Sequence, residues 1–179
     1  RADSEFDDRP VDTAAVHYQW FKASSTIHDF AVLHVPLPLP RGINRMAYCK
    51  TPSFTGSIRV YGFSQDMPKD ENGKTMVHLC FSHSSVQYTI GETRLYHHGD
   101  TGPGISGGPV VNTSGAMIAV HRGGGPETNK AVVINHHSND VDNFVNILAS
   151  MAGKEPVNPP ITKSDEFELE HMTAVCFSW

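Results

Sequence analysis

The stretch Asp100-Thr101-Gly102-Pro103-Gly104-Ile105-Ser106-Gly107-Gly108-Pro109 holds residue types that could make a reactive serine. Glycines on both sides of Ser106 let the backbone turn sharply, so a hydroxyl and free N–H groups can face one point. A serine hydroxyl is a poor nucleophile at neutral pH. It needs a base to take its proton and donors for the oxyanion that follows attack on a carbonyl. The N–H groups of Gly104 and Ser106 can converge as those donors. A glycine-flanked serine alone occurs in many β-turns. Gly-x-Ser-Gly-Gly-Pro running into the apolar residues Val110 and Val111 is a more specific pattern, and points to acyl transfer. His121 follows Ser106 by fifteen residues, in the run Ile118-Ala119-Val120-His121-Arg122-Gly123-Gly124. That run reads as a strand lining a pocket with His121 in it; the alternative is that His121 packs between strands.

The elements that must position these groups are mainly strands. Phe30 to Val35, Ser57 to Phe63, Met76 to His83, Thr93 to His98, Pro109 to Asn112, Ala116 to His121 and Ala131 to Ile134 are short apolar or alternating runs separated by polar turns. Ala14 to Phe21 is a further expected strand, after an acidic loop over residues 1–13. Thr113-Ser114-Gly115 makes a tight hairpin, and Lys69-Asp70-Glu71-Asn72-Gly73-Lys74 a polar turn. Pro36-Leu37-Pro38-Leu39-Pro40 cannot continue a central strand, because proline lacks the ladder donor, and it reads as a connector. One helix is expected. Ser138 or Asn139 caps it, and Val141, Phe144, Val145 and Leu148 supply one buried face. Three regions follow: 1–40, a first β unit and connector; 41–153, a second β unit with the helix; and 154–179, an acidic tail ending in an apolar cluster that suits docking on a partner.

Composition narrows the class. Fifteen glycines and twelve prolines in 179 residues fit an all-β chain rich in turns. A net charge of −5, with no basic stripe, argues against a nucleic-acid partner. No apolar run reaches the roughly 18 residues needed to span a bilayer, which argues against a membrane. The polar N-terminus is not a signal peptide, which favours an intracellular setting. Cys49, Cys80 and Cys176 are too scattered for a metal site, and their odd number favours free thiols in a reducing compartment. His97-His98 and His136-His137 are adjacent pairs, which a strand would point to opposite faces, so no metal is expected.

With these residues in place, Ile27 to Leu148 resembles the chymotrypsin-like (trypsin-like) serine proteases, and within them the bacterial glutamyl endopeptidases. The likeness rests on an aspartate opening an apolar strand (Asp29-Phe30-Ala31-Val32-Leu33) and a strand ending in a glycine turn (Ile58 to Phe63). It continues through the Ser106 loop, the Ile118–Gly124 strand, the closing Ala131–Asn135 strand and the helix. The resemblance implies an all-β chymotrypsin-like double β-barrel, here with an incomplete N-terminal barrel, and a C-terminal helix. It implies Ser106 as nucleophile, Asp29 as the triad acid, and Gly104 and Ser106 as the oxyanion hole. Thr101 and His121 then bind an acidic side chain on the acyl side of the scissile bond, with Arg122 and Gly123 beside them. The implied activity is peptide-bond hydrolysis on a peptide or protein substrate, with no cofactor.

Two departures shape the expectation. Ile105 stands where the trypsin branch carries an aspartate, which excludes activation by a buried pair with a newly cut N-terminus. The triad also needs a histidine between acid and serine in space. His28 adjoins Asp29 and points away from it, and Thr13-Ala14-Ala15-Val16-His17 only faintly resembles the family's Thr-Ala-Ala-His turn. The remnant of the first barrel would also leave open strand edges. The expectation is that an upstream segment or a partner chain completes that barrel and supplies the histidine; the alternative is an inactive protease-like binding or regulatory domain.

Overall fold

The computed structural model describes residues 9–38, 42, 44–52, 55–73, 79–87, 94–125, 127–151 and 174–178. Most of the expected acidic N-terminal loop, Leu39-Pro40 of the connector, Met76 to His78 and Thr93 at strand starts, and nearly all of the acidic tail lie outside them.

Six strands close into one antiparallel barrel: β3 (Ser57–Phe63), β4 (Leu79–Gln87), β5 (Arg94–His97), β6 (Pro109–Val111), β7 (Met117–Gly124) and β8 (Asn129–Val133), in the order β3-β4-β5-β8-β7-β6. Pairing of Arg59 with Val111 and Val60 with Val110 joins the last strand to the first, so no edge is left open. Alternation sorts the side chains. Ala131 and Val133 of β8 enter the barrel interior with Ile58, Val60, Leu95, Val110 and Ile118. Val132 and Ile134 face the other way, onto Phe144 and Leu148 of α2 (Val141–Met151), with Ala15 and Phe30 closing that second core.

The first region is smaller. β1 (Thr13–His17) lies between β2 (Ala31–His34) and β9 (Ala174–Ser178), antiparallel to both. The end of the chain thus covers one edge of β1 from within. This is an all-β chymotrypsin-like fold with one closed barrel, an incomplete N-terminal one and a C-terminal helix. No helix among the described residues is long and apolar enough to cross a membrane.

Three sequence expectations change. Ala14 to Phe21 is not one strand: β1 stops at His17 and the chain enters α1 (Tyr18–Ala23). The His17 imidazole causes the switch, since its Nδ1 accepts the Gln19 N–H at 3.1 Å and caps the first turn. The apolar run Phe30 to Val35 does not form a barrel strand either: the strand covers only Ala31–His34 of the small sheet. β2 is an edge strand, and Leu33 is 55% exposed. Finally, neither Ser138 nor Asn139 caps α2. Asp140 does, its Oδ1 accepting the Asn143 N–H at 3.1 Å, and Val145 turns outward.

Asn139 instead joins the two regions. It is fully buried, and its amide donates to Val133 O at 2.9 Å and to Ile27 O at 3.1 Å. Its Oδ1 accepts from His28 Nδ1–H at 3.1 Å. His28 stacks on His17 with ring centroids 3.7 Å apart and planes 6° from parallel. Burial first, and the neighbouring His28 second, lower the His17 pKa from 6.5 to about 4. The folded protein therefore favours the neutral ring. Its contribution to stability is complete above pH 6.5 and is lost as the pH falls towards 4. Thermal unfolding across this window should show Tm falling with acid, and His17→Phe, which keeps an aromatic ring in the stack, should shrink the slope while lowering Tm at neutral pH through the lost cap. A variant as acid-sensitive as the parent would remove His17 from this account.

Candidate active site

The Ser106 loop is held flat against the barrel by backbone bonds. Gly107 N–H donates to His121 O at 2.7 Å, and His121 N–H donates to Gly108 O at 2.8 Å. Gln65 N–H donates to Pro103 O at 2.8 Å from the end of β3. Contact is so close that a Cβ on Gly108 would stand 2.0 Å from Tyr61 O, and one on Gly104, whose φ is +93°, 2.7 Å from Phe63 O. Ile105 is the anchor between them, buried in the barrel interior where an aspartate would need a charged partner. Ser106 is left exposed beyond it, and among the described residues the N–H groups of Gly104 and Ser106 have no hydrogen-bond acceptor.

Ser106 stands at the junction of two clefts. The first, about 700 Å³, is lined by Val16, Asp29, Phe30, Ser106, His121 and Arg122 among others. Asp29 and Ser106 thus line the same cleft. Among the described residues no imidazole bridges them. Asp29 Oδ2 instead accepts from Arg122 Nε at 2.8 Å, and the Ser106 hydroxyl donates to Arg122 O at 2.9 Å. Neither His17 nor His28 lines either cleft; both are committed to the Asn139 seam, and Val16 is the β1 residue that lines the first cleft with Ser106. Arg122, expected beside the substrate, lines this cleft with its guanidinium on Asp29.

The second cleft, about 630 Å³, is lined by Thr101, Gly102, Ser106, His121, Gly123 and Asn129 among others. Thr101, His121 and Gly123 are brought together here beside Ser106. A chain of hydrogen bonds sets the His121 tautomer. The Gly99 N–H can only donate, so His97 Nδ1, at 3.2 Å, accepts. The neutral His97 then carries its proton on Nε2 and donates it to His121 Nδ1 at 3.2 Å. His121 is left with Nε2–H. Desolvation lowers the His121 pKa below 6.5, and burial, then the charges of His121 and His98, lower that of His97 to about 4. Both rings are neutral at pH 7. The Thr101 hydroxyl is buried with no hydrogen-bond partner among the described residues, a group left waiting for one.

As half of a His-His pair, His97 gives no sign of this role in the sequence. Strand alternation gives one: Leu95 and His97 share the buried face of β5. Among the described residues no three His, Cys, Asp or Glu side chains gather as a metal site.

The architecture has known counterparts. It is similar to the active form of the Rv3671c protease from M. tuberculosis, with a TM-score of 0.50 and 18% identity over 77% of this chain and 60% of that one. The inactive form of the same protease aligns with a TM-score of 0.42 and 16% identity over 64% of this chain and 59% of that one. The chain thus spans about three fifths of the length of those structures. No curated protein sequence matches it. A family model, the trypsin-like peptidase domain, matches residues 2–120, well over half of the chain. Its closed barrel, glycine-bound serine loop and facing aspartate fit that match, and the chain belongs to the family of trypsin-like peptidase domains.

Proposed function

We propose that the protein is a serine endopeptidase that hydrolyses peptide bonds through an acyl-enzyme and prefers an acidic residue, glutamate, on the acyl side, as in the glutamyl endopeptidase branch. The observation that carries this is Ser106 itself, exposed between two clefts with the Gly104 and Ser106 N–H groups open beside it. In the reaction the Ser106 Oγ electron pair attacks the peptide carbonyl, and the two N–H groups stabilise the oxyanion before the amine leaves. Water then cleaves the ester. The proton carrier is a histidine from an upstream or partner segment completing the first barrel, which Asp29 would orient.

Acidic selectivity rests on the second cleft. The Thr101 hydroxyl and His121 Nε2–H are two donors beside Ser106, and a buried carboxylate binds strongly where donors are fixed in advance. His121 needs no charge for this, because the bond from His97 already turns its proton outward. One observation favours the other reading, a domain that binds peptides without cutting them: Asp29 is already paired with Arg122.

A fluorophosphonate probe tests the nucleophile. The purified chain alone should label at Ser106 slowly, and Ser106→Ala should abolish labelling by mass spectrometry; an adduct elsewhere, unchanged in Ser106→Ala, would sink the assignment. Binding of glutamyl and alanyl peptides between pH 5 and 8 tests the subsite. The glutamyl preference should persist above pH 6.5, from the neutral donors, and strengthen as His121 protonates at lower pH. His121→Phe should reduce the preference roughly tenfold, the scale of one charge-assisted hydrogen bond. Identical profiles for the two peptides would take Thr101 and His121 out of the reading.

A further inference from the structure

We propose that Arg122 is a positioning residue that holds the site closed: its guanidinium occupies Asp29 and its carbonyl occupies the Ser106 hydroxyl, so a base acts on Ser106 only after the Arg122 side chain leaves the acid. This rests on Ser106 being the nucleophile. A single residue contacts both partners, through Nε at 2.8 Å on one side and the main-chain oxygen at 2.9 Å on the other. A carbonyl oxygen accepts a hydrogen bond but does not remove the proton at neutral pH. In this arrangement the hydroxyl stays protonated, and the carboxylate that would orient a base is taken.

The backbone explains why Arg122 reaches both. Along β7, His121 pairs with Ala131 and Gly123 with Lys130, which leaves Arg122 as an extra residue, a β-bulge between them. A bulge removes a residue from the ladder and re-aims its side chain. The Arg122 carbonyl is thereby turned to the hydroxyl of Ser106, and its side chain to Asp29 across the cleft.

The latch is built to open. Both side chains of the pair are 37% exposed, and ion pairs that wet are weak, unlike buried ones whose rupture strands a charge. Once Arg122 swings out, Asp29 and Ser106 face a common cleft walled by Val16, Phe30 and Val120, apolar enough for a flat neutral ring and large enough, at about 700 Å³, to admit one. An imidazole ring placed there can receive the hydroxyl proton on one nitrogen while the other donates to Asp29.

Free imidazole serves as the probe for that space. With a fluorophosphonate, imidazole takes the Ser106 proton, the Oγ electron pair forms the bond to phosphorus, and fluoride leaves with its bonding pair. The full chain, Arg122→Ala, Arg122→Lys and the double variant Asp29→Asn/Arg122→Ala are labelled at pH 7.5 over a series of imidazole concentrations, with Tm measured for each. Imidazole should accelerate Ser106 labelling on the order of tenfold or more in Arg122→Ala, the low end of what a positioned base contributes. The acceleration should saturate. It should be small in the parent and in Arg122→Lys, which keeps a cation for Asp29, and should vanish in the double variant. Should Arg122→Ala melt early, Arg122→Gln takes its place, with the same expectation. Equal acceleration in the parent and in Arg122→Ala overturns the latch while leaving Ser106 as nucleophile. Folded variants that never label at Ser106 overturn both. Acceleration that survives Asp29→Asn overturns the part of the proposal in which Arg122 acts by occupying the acid.

Discussion

Two backbone hydrogen bonds carry the site: Gly107 N–H to His121 O, and His121 N–H to Gly108 O. They fasten the loop bearing Ser106 to the strand bearing His121 and Arg122. Because they are main-chain bonds in the floor of a closed barrel, their geometry does not depend on any long side chain. Everything polar at the site is then set out around them. Ser106 faces outward on one side, Ile105 is driven into the barrel interior, and Arg122 is released from the ladder by the bulge that follows. The close approach they impose also accounts for Gly108, since no side chain fits against Tyr61 O.

A second constraint joins the barrel to the small sheet. Asn139 uses its whole amide to tie Ile27 and His28 to Val133. Replacing it with an apolar residue would strand two carbonyls and an imidazole in a buried seam, a heavier loss than one hydrogen bond. This seam fixes where the chain enters Asp29, two residues past Ile27, and therefore where the carboxylate stands relative to Ser106. It also takes His17 and His28 away from the cleft. Both rings serve packing, and the cleft that Asp29 and Ser106 share is bordered by Val16 and crossed by the Arg122 side chain on its way to Asp29.

The small sheet shows how a reduced barrel covers the second edge of β1. β1 has a strand on each side, and one of them, β9, comes from the far end of the chain. Pairing over five consecutive positions from Thr13 to His17 satisfies main-chain groups that would otherwise face solvent or another chain. β2 remains at the rim, which is why its apolar residues are exposed where a closed barrel would bury them.

Much of this was legible from sequence because it is local. The serine loop needs glycines at set places, strands alternate, and the family pattern of aspartate, serine and pocket strand runs in chain order. Composition and turn residues were enough for an all-β chain with one C-terminal helix. Local pattern failed mostly where a distant partner decided the outcome. Within the chain's own neighbourhood, Ala14 to Phe21 alternates like a strand, yet the uncommon cap of His17 on Gln19 N–H turns Tyr18 into helix; elsewhere the partner is distant. Asn139 has the type of a helix cap, yet a buried seam claims it and leaves the cap to Asp140. The tautomer of His121 depends on His97 from another strand, and the partner of Asp29 on a bulge in β7. Sequence alone determined which groups could do chemistry, since that follows from residue type and backbone freedom. Only the tertiary structure decided which of them meet, because hydrogen bonds and ion pairs form across the fold and take no account of separation along the chain.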